Sequence, residues 1–372
     1  MIQVRVQVVV ASVGQLRNIR MFEPMLDRHV YKVTVIDEGE RAIRRHNRRL
    51  LNGMRHRFYG PRERKAYFLK TFGRMGRRAL DVIPARCHAE TSFGFLLAYE
   101  DRPDMVLQLD DDTFPVPGNL IIDDHFASIQ DPEGRAASSA SKWYNTLENL
   151  QLNVRTKLFP RGHPYDPSAR STAYRWSNIS SKTVLNMGLW LNDPDLDALT
   201  ILSRGGLDGR CDARSTRVKR KKVIVQKGTY FSLCSMNTAF KPEIIPAFYQ
   251  LYMNYMGIDR FDDIWSGIFL KKVTDHLGLG ISLGGPAVRH EKRPRDVFKD
   301  LRAETGGMAI NEFLWRIVNT LELDGKDYWT AYRSLAEGLE RPIKNVKSQF
   351  YRQFIGEQVR RMRTWLKLID RL

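Results

Sequence analysis

Three consecutive carboxylates, Asp110-Asp111-Asp112, close the apolar run MVLQL. Adjacent carboxylates repel, and the end of an apolar strand desolvates them together, so the arrangement is costly unless a cation shares the site. Hard oxygen ligands suit Mn²⁺ or Mg²⁺, and such an ion can neutralise a diphosphate. Acidic triplets also occur on solvated loops, so the reading depends on strand context. Residues 7–12 form a valine-rich run, and YKVTVID over 31–37 repeats the pattern and ends on an acid. Two buried parallel strands separated by about one helix of chain make the βαβ unit of a nucleotide-binding half-fold. Ligands of such sheets bind at the carboxyl ends of the strands.

The segment CHAETSFGFLLAYEDRPD (87–104) reads as a helix with Phe93, Leu96, Leu97 and Tyr99 on one side, closed by Pro103. Residues 40–86 mix helical and loop signals and resist assignment. Residues 221–240 contain two short strand patterns broken at Gly228, and PEIIPAFYQLYMNYM then begins a helix. A second helix, FDDIWSGIFLKKVTDHLG (261–278), places Ile264, Ile268, Phe269, Val273 and Leu277 at helical spacing, with Gly278 as a stop. ISLGGPAVRHEKRPRD is one more strand, exiting into a histidine and a basic loop. The remainder reads as all helix, its last stretch carrying Phe350, Phe354, Val359, Met362, Leu366 and Ile369 on one stripe. The expected organisation is an α/β domain over 1–305 with a helical extension over 306–372.

Charge is segregated. The chain carries +18, yet Arg41 to Arg86 holds 15 Lys/Arg against 2 acids, Arg204 to Lys227 holds 9 against 2, and Arg341 onward holds 9 against 2. Such stretches can form a basic face for a polyanion, whether nucleic acid, an acidic membrane surface or nucleotide phosphates; plain solvated surface is the competing explanation. A hydrophobic content of 42% excludes extended disorder. The three cysteines, Cys87, Cys211 and Cys234, are widely spaced and suit a reducing compartment. With no signal-peptide layout at the start and no run of about 18 apolar residues, a cytoplasmic setting is expected. Asn178-Ile179-Ser180 is then a chance match to a glycosylation sequon.

Other residues could share in the chemistry. Asp262-Asp263 opens a helix; an N-cap plus a first-turn acid explains the pair without function, whereas a functional reading makes Asp263 a base or a sugar anchor. His290 ends an apolar strand beside Arg289 and Lys292, and a lone histidine there is more often structural than a ligand. His163 lies in FPRGHPYDP with Arg161 and Arg170 nearby. A loop of that composition suggests a mobile lid over a phosphate site, with solvated arginines as the alternative.

The motifs LQLDDDT (107–113), FPRGHPY (159–165), GLWLNDPDLDALT (188–200), KGTYFSLCSMNTAF (227–240), RFDDIWSG (260–267), DHLGLG (275–280) and RHEK (289–292) occur together in an order that resembles the reversibly glycosylated polypeptides, a family that includes the plant UDP-arabinopyranose mutases. The resemblance implies a GT-A-like, Rossmann-like mixed sheet flanked by helices, a UDP-sugar substrate and interconversion of pyranose and furanose forms of UDP-arabinose. It places the metal on Asp110, Asp112 and His290, and the nucleotide against Ala11, Ser12, Asp37, Asp110, Asp111, Trp190 and Asn237. Arg161 corresponds to the arginine that becomes reversibly glycosylated, and Arg170 to a second important arginine, with Asp262 and Asp263 as acids able to take a guanidinium proton. The chain departs from the family pattern at Thr113, Met187 and Thr91. Transfer of the sugar to an external acceptor, DNA or another polyanion, is the alternative, and a homo-oligomer is compatible with either.

Overall fold

The computed structural model describes residues 3–372. Its N-terminal half is the expected βαβ unit and its continuation. Strands β1 (Arg5–Ser12), β2 (Val30–Asp37) and β3 (His56–Tyr59) alternate with helices α1 (Glu23–Leu26), α2 (Arg41–Leu50), α3 (Pro61–Phe72), α4 (Gly76–Val82) and α5 (Thr91–Asp101), and β4 (Met105–Leu109) follows. The unassigned basic stretch therefore holds α2, β3, α3 and α4. Val6 to Val10 are buried, as an interior parallel strand requires. Ser12 stands opposite Asp37, and Val9 opposite Gln108, so β1, β2 and β4 all finish at one edge of the sheet. Helix α5 is buried on every side from Thr91 to Ala98, with no solvent face.

The middle of the chain supplies β5 (Thr113–Pro115), α6 (Ile121–Gln130), β6 (Glu133–Ser139), β7 (Trp143–Tyr144), β8 (Leu150–Leu152), β9 (Tyr174–Ser180) and β10 (Thr183–Asn192). After α7 (Ala198–Ser203) come β11 (Ser215–Val218), β12 (Lys222–Val225), β13 (Tyr230–Phe231) and β14 (Asn237–Phe240). Helix α8 (Asp262–His276) and β15 (Gly280–His290) complete the sheet. Its main order is β3-β2-β1-β4-β14-β10-β15-β12-β6-β9. Strands β3, β2, β1 and β4 run parallel, while β14 is antiparallel to both its neighbours, giving a mixed sheet. Strand β15 lies parallel to β10, with His290 opposite Asn192, and β5 pairs back against β15 with Thr113 opposite His290. The acidic run and the late histidine thus meet through backbone register.

Two sequence expectations need correction here. Residues 221–240 form three short strands, because the chain turns both at Gly228 and again between β13 and β14. The segment after Pro242 is not a helix beyond a 3-10 turn over Pro242–Ala247. Pro246 has no amide hydrogen to continue a helical ladder. The chain beyond it is held as an irregular buried strap by Ser92, whose hydroxyl accepts from the Gln250 amide at 3.0 Å. Helix α8 ends as expected, with Gly278 at a φ of +70° just past its last turn.

Three helices close the chain: α9 (Val297–Thr320), α10 (Tyr328–Lys344) and α11 (Gln349–Ile369). Helix α9 runs unbroken across residues 305 and 306. On α11, Phe354, Val359, Met362, Leu366 and Ile369 are buried, but Phe350 is 43% exposed, because it sits in the first turn before the helix reaches the body of the protein. Trp365 is fully buried, stacks on Tyr249 with ring centroids 5.3 Å apart, and donates from Nε1 to the Pro246 carbonyl at 3.1 Å. No helix among the described residues is long and apolar enough to cross a membrane. The whole is a GT-A-like α/β architecture with a C-terminal helical extension. Replacing Trp365 by Ala should lower the unfolding free energy in urea by about 3–5 kcal/mol, and a loss under about 1 kcal/mol would show that α11 does not depend on this anchor.

Candidate active site

A cleft of about 630 Å³ opens at the edge where β1 and β4 end, and Ala11, Ser12, His88 and the three aspartates line it. The β4 end is fixed from below: Asn18 donates from Nδ2 to the carbonyls of Asp110 and Thr113, both at 2.7 Å. Asp111 accepts from the Ser12 hydroxyl at 2.5 Å and lies 3.4 Å from Arg293. Asp112 lies 3.6 Å from His290 Nε2. The other ring nitrogen, Nδ1, is 2.7 Å from the Asp193 carbonyl, which can only accept, so Nδ1 carries the hydrogen and Nε2 faces Asp112. Asp110 has no salt-bridge partner among the described residues; burial, with repulsion from Asp112, pushes it up to about 7. No three His, Cys, Asp or Glu side chains among the described residues are already drawn together as a metal-holding group.

Behind the cleft is a second charged cluster. Arg161 grips Asp195 with two parallel bonds, Nε to Oδ1 and Nη2 to Oδ2, each 3.1 Å, and lies 3.4 Å from both oxygens of Asp263. It also donates to the Arg260 carbonyl. Burial alone would raise Asp195, but Arg161 overrides it and holds the carboxyl at about 2. Burial likewise works against the guanidinium charge, and the two carboxylates overcome that and hold Arg161 well above its ordinary value. Asp262 points the other way, 4.0 Å from the exposed ring of His88 on the cleft wall. Burial chiefly, opposed by His88, pushes Asp262 up to about 6. Phe261 is the N-cap of α8, so both aspartates sit in its first turn and neither caps it.

The loop carrying Arg161 and His163 is not a mobile lid. Residues 160–164 are buried, the Tyr165 and Asp166 amides donate to Glu312 of α9, and Asn311 donates to the Gly162 carbonyl at 2.8 Å. Gly162 has a φ of +83°, and a Cβ there would come within 2.5 Å of Ile264 on α8, so only glycine lets the loop lie this close. Arg170 does not reach the cleft. Its guanidinium is stacked on Phe159 and Tyr165, 4.5 and 4.2 Å from the ring centroids, and Nε donates to the Pro164 carbonyl. It braces the loop.

Three residues expected to bind nucleotide are placed elsewhere. Asp37 is fully buried, accepting from Asn47 and from the Gly39 amide, and so shapes the turn after β2. Trp190 is fully buried on β10. Asn237 is also buried, donating to the Pro286 carbonyl at 2.9 Å and accepting from His125 at 2.9 Å. Asp193, Asp195 and His88 were not singled out from the sequence. The spacing of Asp193, Asp195 and Asp197 directly after an apolar strand was a usable signal, since it repeats the logic of the Asp triplet; nothing local distinguishes His88.

Two outcomes follow. Replacing Arg161 by Met should cost about 3–5 kcal/mol of stability, because Asp195 and Asp263 would stay buried without their cation; an unchanged urea midpoint would show that the fork does not hold the loop. The second concerns acid. His125 accepts from Asn186 Nδ2 at its Nδ1 and donates to Asn237 from Nε2, and burial pushes its pKa down to about 4. Because the folded pKa lies below the unfolded value of 6.5, its contribution is complete above pH 6.5 and fades as pH falls toward 4. At roughly 1.4 kcal/mol per pH unit the loss reaches about 3 kcal/mol, and unfolding curves of H125Q should be flatter over that window.

The family model described as reversibly glycosylated polypeptide matches residues 4–372. A probable UDP-arabinopyranose mutase 1 of Solanum tuberosum is 30% identical over 270 residues, 68% of this chain and 67% of that protein. UDP-arabinopyranose mutase 1 of Arabidopsis thaliana is 31% identical over 268 residues, 68% of each. UDP-arabinopyranose mutase 1 of Oryza sativa subsp. japonica is 29% identical over 292 residues, 75% of this chain and 70% of that protein. On the match to the family model over nearly the whole chain and on these relatives, the chain belongs to the reversibly glycosylated polypeptide family.

Proposed function

We propose that this chain is a mutase that interconverts the pyranose and furanose forms of UDP-arabinose. The relatives support the substrate. The observation that carries the reading is Asp110, a half-buried strand-end carboxylate with no salt-bridge partner among the described residues, beside Asp112, toward which His290 Nε2 is turned. Hard oxygen and imidazole donors in that combination fit a divalent ion. Asp110 and Asp112 with His290 would hold Mn²⁺ or Mg²⁺, which supplies charge neutralisation for the departing diphosphate.

The protein's own groups do the remainder. Ser12 fixes Asp111 and, with Ala11, forms the cleft wall at the end of β1, where a nucleotide bound by this sheet would rest. Arg293, which packs against Gly14 and Asp111, and Arg295 also line the cleft, where their charge would offset that of a diphosphate. Arg161 does not line the cleft in this arrangement. For it to take the sugar, Nη must bond the anomeric carbon as the carbon–oxygen bond to phosphate breaks and UDP departs with the electron pair. The displaced Nη proton then passes to Asp263, at 3.4 Å. That step requires the fork to Asp195 to open, because a guanidinium gripped by two carboxylates keeps its protons.

Incubation with UDP-arabinopyranose and Mn²⁺, followed by chromatography, should give the furanose nucleotide without any added acceptor. Asp112→Asn should lower kcat about 10²-fold or more and weaken Mn²⁺ binding in calorimetry. Intact-mass measurement under the same conditions should show gain of one pentose on the wild-type chain and none on R161K. Hydrolysis to UDP and free arabinose, with no ring isomer, would sink the mutase reading.

A further inference from the structure

Helix α2 carries Arg41, Arg44, Arg45, Arg48 and Arg49 and no acid at all. With Arg62 from the first turn of α3 they line a surface cavity of about 770 Å³ whose one acidic residue is Glu63. Two of the six are occupied: Arg48 donates to Glu63 at 3.0 Å, and Arg44 to the Gly39 carbonyl. The side chains of Arg41, Arg45, Arg49 and Arg62 make no hydrogen bond or ion pair among the described residues.

The arrangement opposes the stability of its own helix. Arg41 and Arg45, Arg44 and Arg48, and Arg45 and Arg49 are like-charge pairs four residues apart, each of which destabilises a helix. Within the first turn, where the helix dipole favours acids, stands Arg41 behind the N-cap Glu40, while Arg48 and Arg49 in the last turn lie where the dipole favours cations. The cations of α11 are handled differently. Arg360 and Arg361 share Glu357, and Arg363 meets Glu340. Three of the arginines on α11 thus have a carboxylate within reach, whereas on α2 only Arg48 has one.

We infer that the α2–α3 groove binds the phosphate backbone of a nucleic-acid duplex without reading its sequence. Arginines recur on each turn of α2, about 5.4 Å apart along its axis, and a duplex presents one charge per about 1.7 Å of its own axis, so several contacts form at once. The rings nearest the groove, Phe58 and Tyr59, are half-buried, and Phe58 already lies under Arg48 at 4.8 Å. Without an exposed aromatic platform the groove has nothing on which unpaired bases stack, which favours a duplex over a single strand. A membrane surface fits less well. None of the groove residues is a large exposed hydrophobic, and an interfacial helix needs an apolar face to insert. The inference does not rest on the mutase reading, because the groove and the cleft are separate sets of residues.

The test is fluorescence anisotropy of the full chain with a mixed-sequence DNA duplex two turns long, titrated over salt. At about −0.9 per phosphate contact, the four unpaired arginines give a slope of log affinity against log salt of about −3 to −4. R45S/R49S should bind roughly 10–100-fold more weakly, with the slope shallower by about 2, while UDP-arabinose turnover stays at the wild-type rate. No binding at low salt, an affinity unchanged in R45S/R49S, or tighter binding of the unpaired strand would overturn the inference. So would a response of the same arginines to phosphatidylserine vesicles or inorganic tripolyphosphate with none to the duplex. Turnover measured on the same samples keeps this outcome separate from any failure of the mutase reading.

Discussion

Carboxylates gathered at the carboxyl edge of the sheet, each requiring a cation, set the terms for the rest of this structure. Asp111 has Arg293, Asp193 has Arg214, and Asp195 and Asp263 share Arg161. Asp112 and Asp262 face His290 and His88. Glu304 and Asp300 of α9 meet Arg260. Asp110, which lines the cleft beside Asp111 and Asp112, has no salt-bridge partner among the described residues. A protein interior tolerates such density only where attraction offsets desolvation, so the pairing dictates which loops and helices must meet at this edge. Arg161 in particular joins the 159–165 loop, the chain after β10 and the start of α8, and α9 clamps that loop from the far side through Asn311 and Glu312.

What could be read from the sequence was mostly what is local. The valine run, the βαβ spacing and the acids after MVLQL located β1, β2 and β4 because a strand buried on both faces has a composition that nothing else in the chain shares. Gly278 and the apolar spacing of residues 261–278 located α8 for the same kind of reason. The segment 242–256 misled because its apolar residues do recur at helical intervals. They are buried by tertiary contacts around an irregular strap, and one proline within it decides against the helix. The stretch 40–86 was opaque because charged residues crowd out the apolar periodicity on which assignment rests.

The site was less legible than the fold, and its errors have a common cause. Trp190 and Asn237 belong to well-matched motifs, yet such motifs hold residues that build the core as well as residues that touch a ligand. Asn237 shows this plainly, being locked to His125 and the Pro286 carbonyl in the interior. Arg170 is similar, since a stacked guanidinium and a phosphate-binding one look identical in a sequence. Asp195 was the costlier omission, because it converts Arg161 from a free cation into half of a bidentate pair. That pairing came from β10 and the 159–165 loop, which are adjacent only after folding.

The distribution of charge separates two kinds of surface that net charge alone conflates. Around the cleft, acids and bases are interleaved: Asp111, Asp112 and Asp300 have basic partners, while Glu90, Asp110, Asp259 and Asp296 have no salt bridge among the described residues. On α2 most of the positive charge has no acidic partner among the described residues, and arginines four apart repel one another. Solubility does not require this, since the same +18 spread over the surface would serve as well. A helix so arranged is stabilised by any anion that spans several arginines at once, and the energy its self-repulsion withholds from folding is recovered on binding. The four partnerless arginines of the α2–α3 groove are thus one concentrated part of the +18 balance, on a surface apart from the cleft where acids and bases interleave.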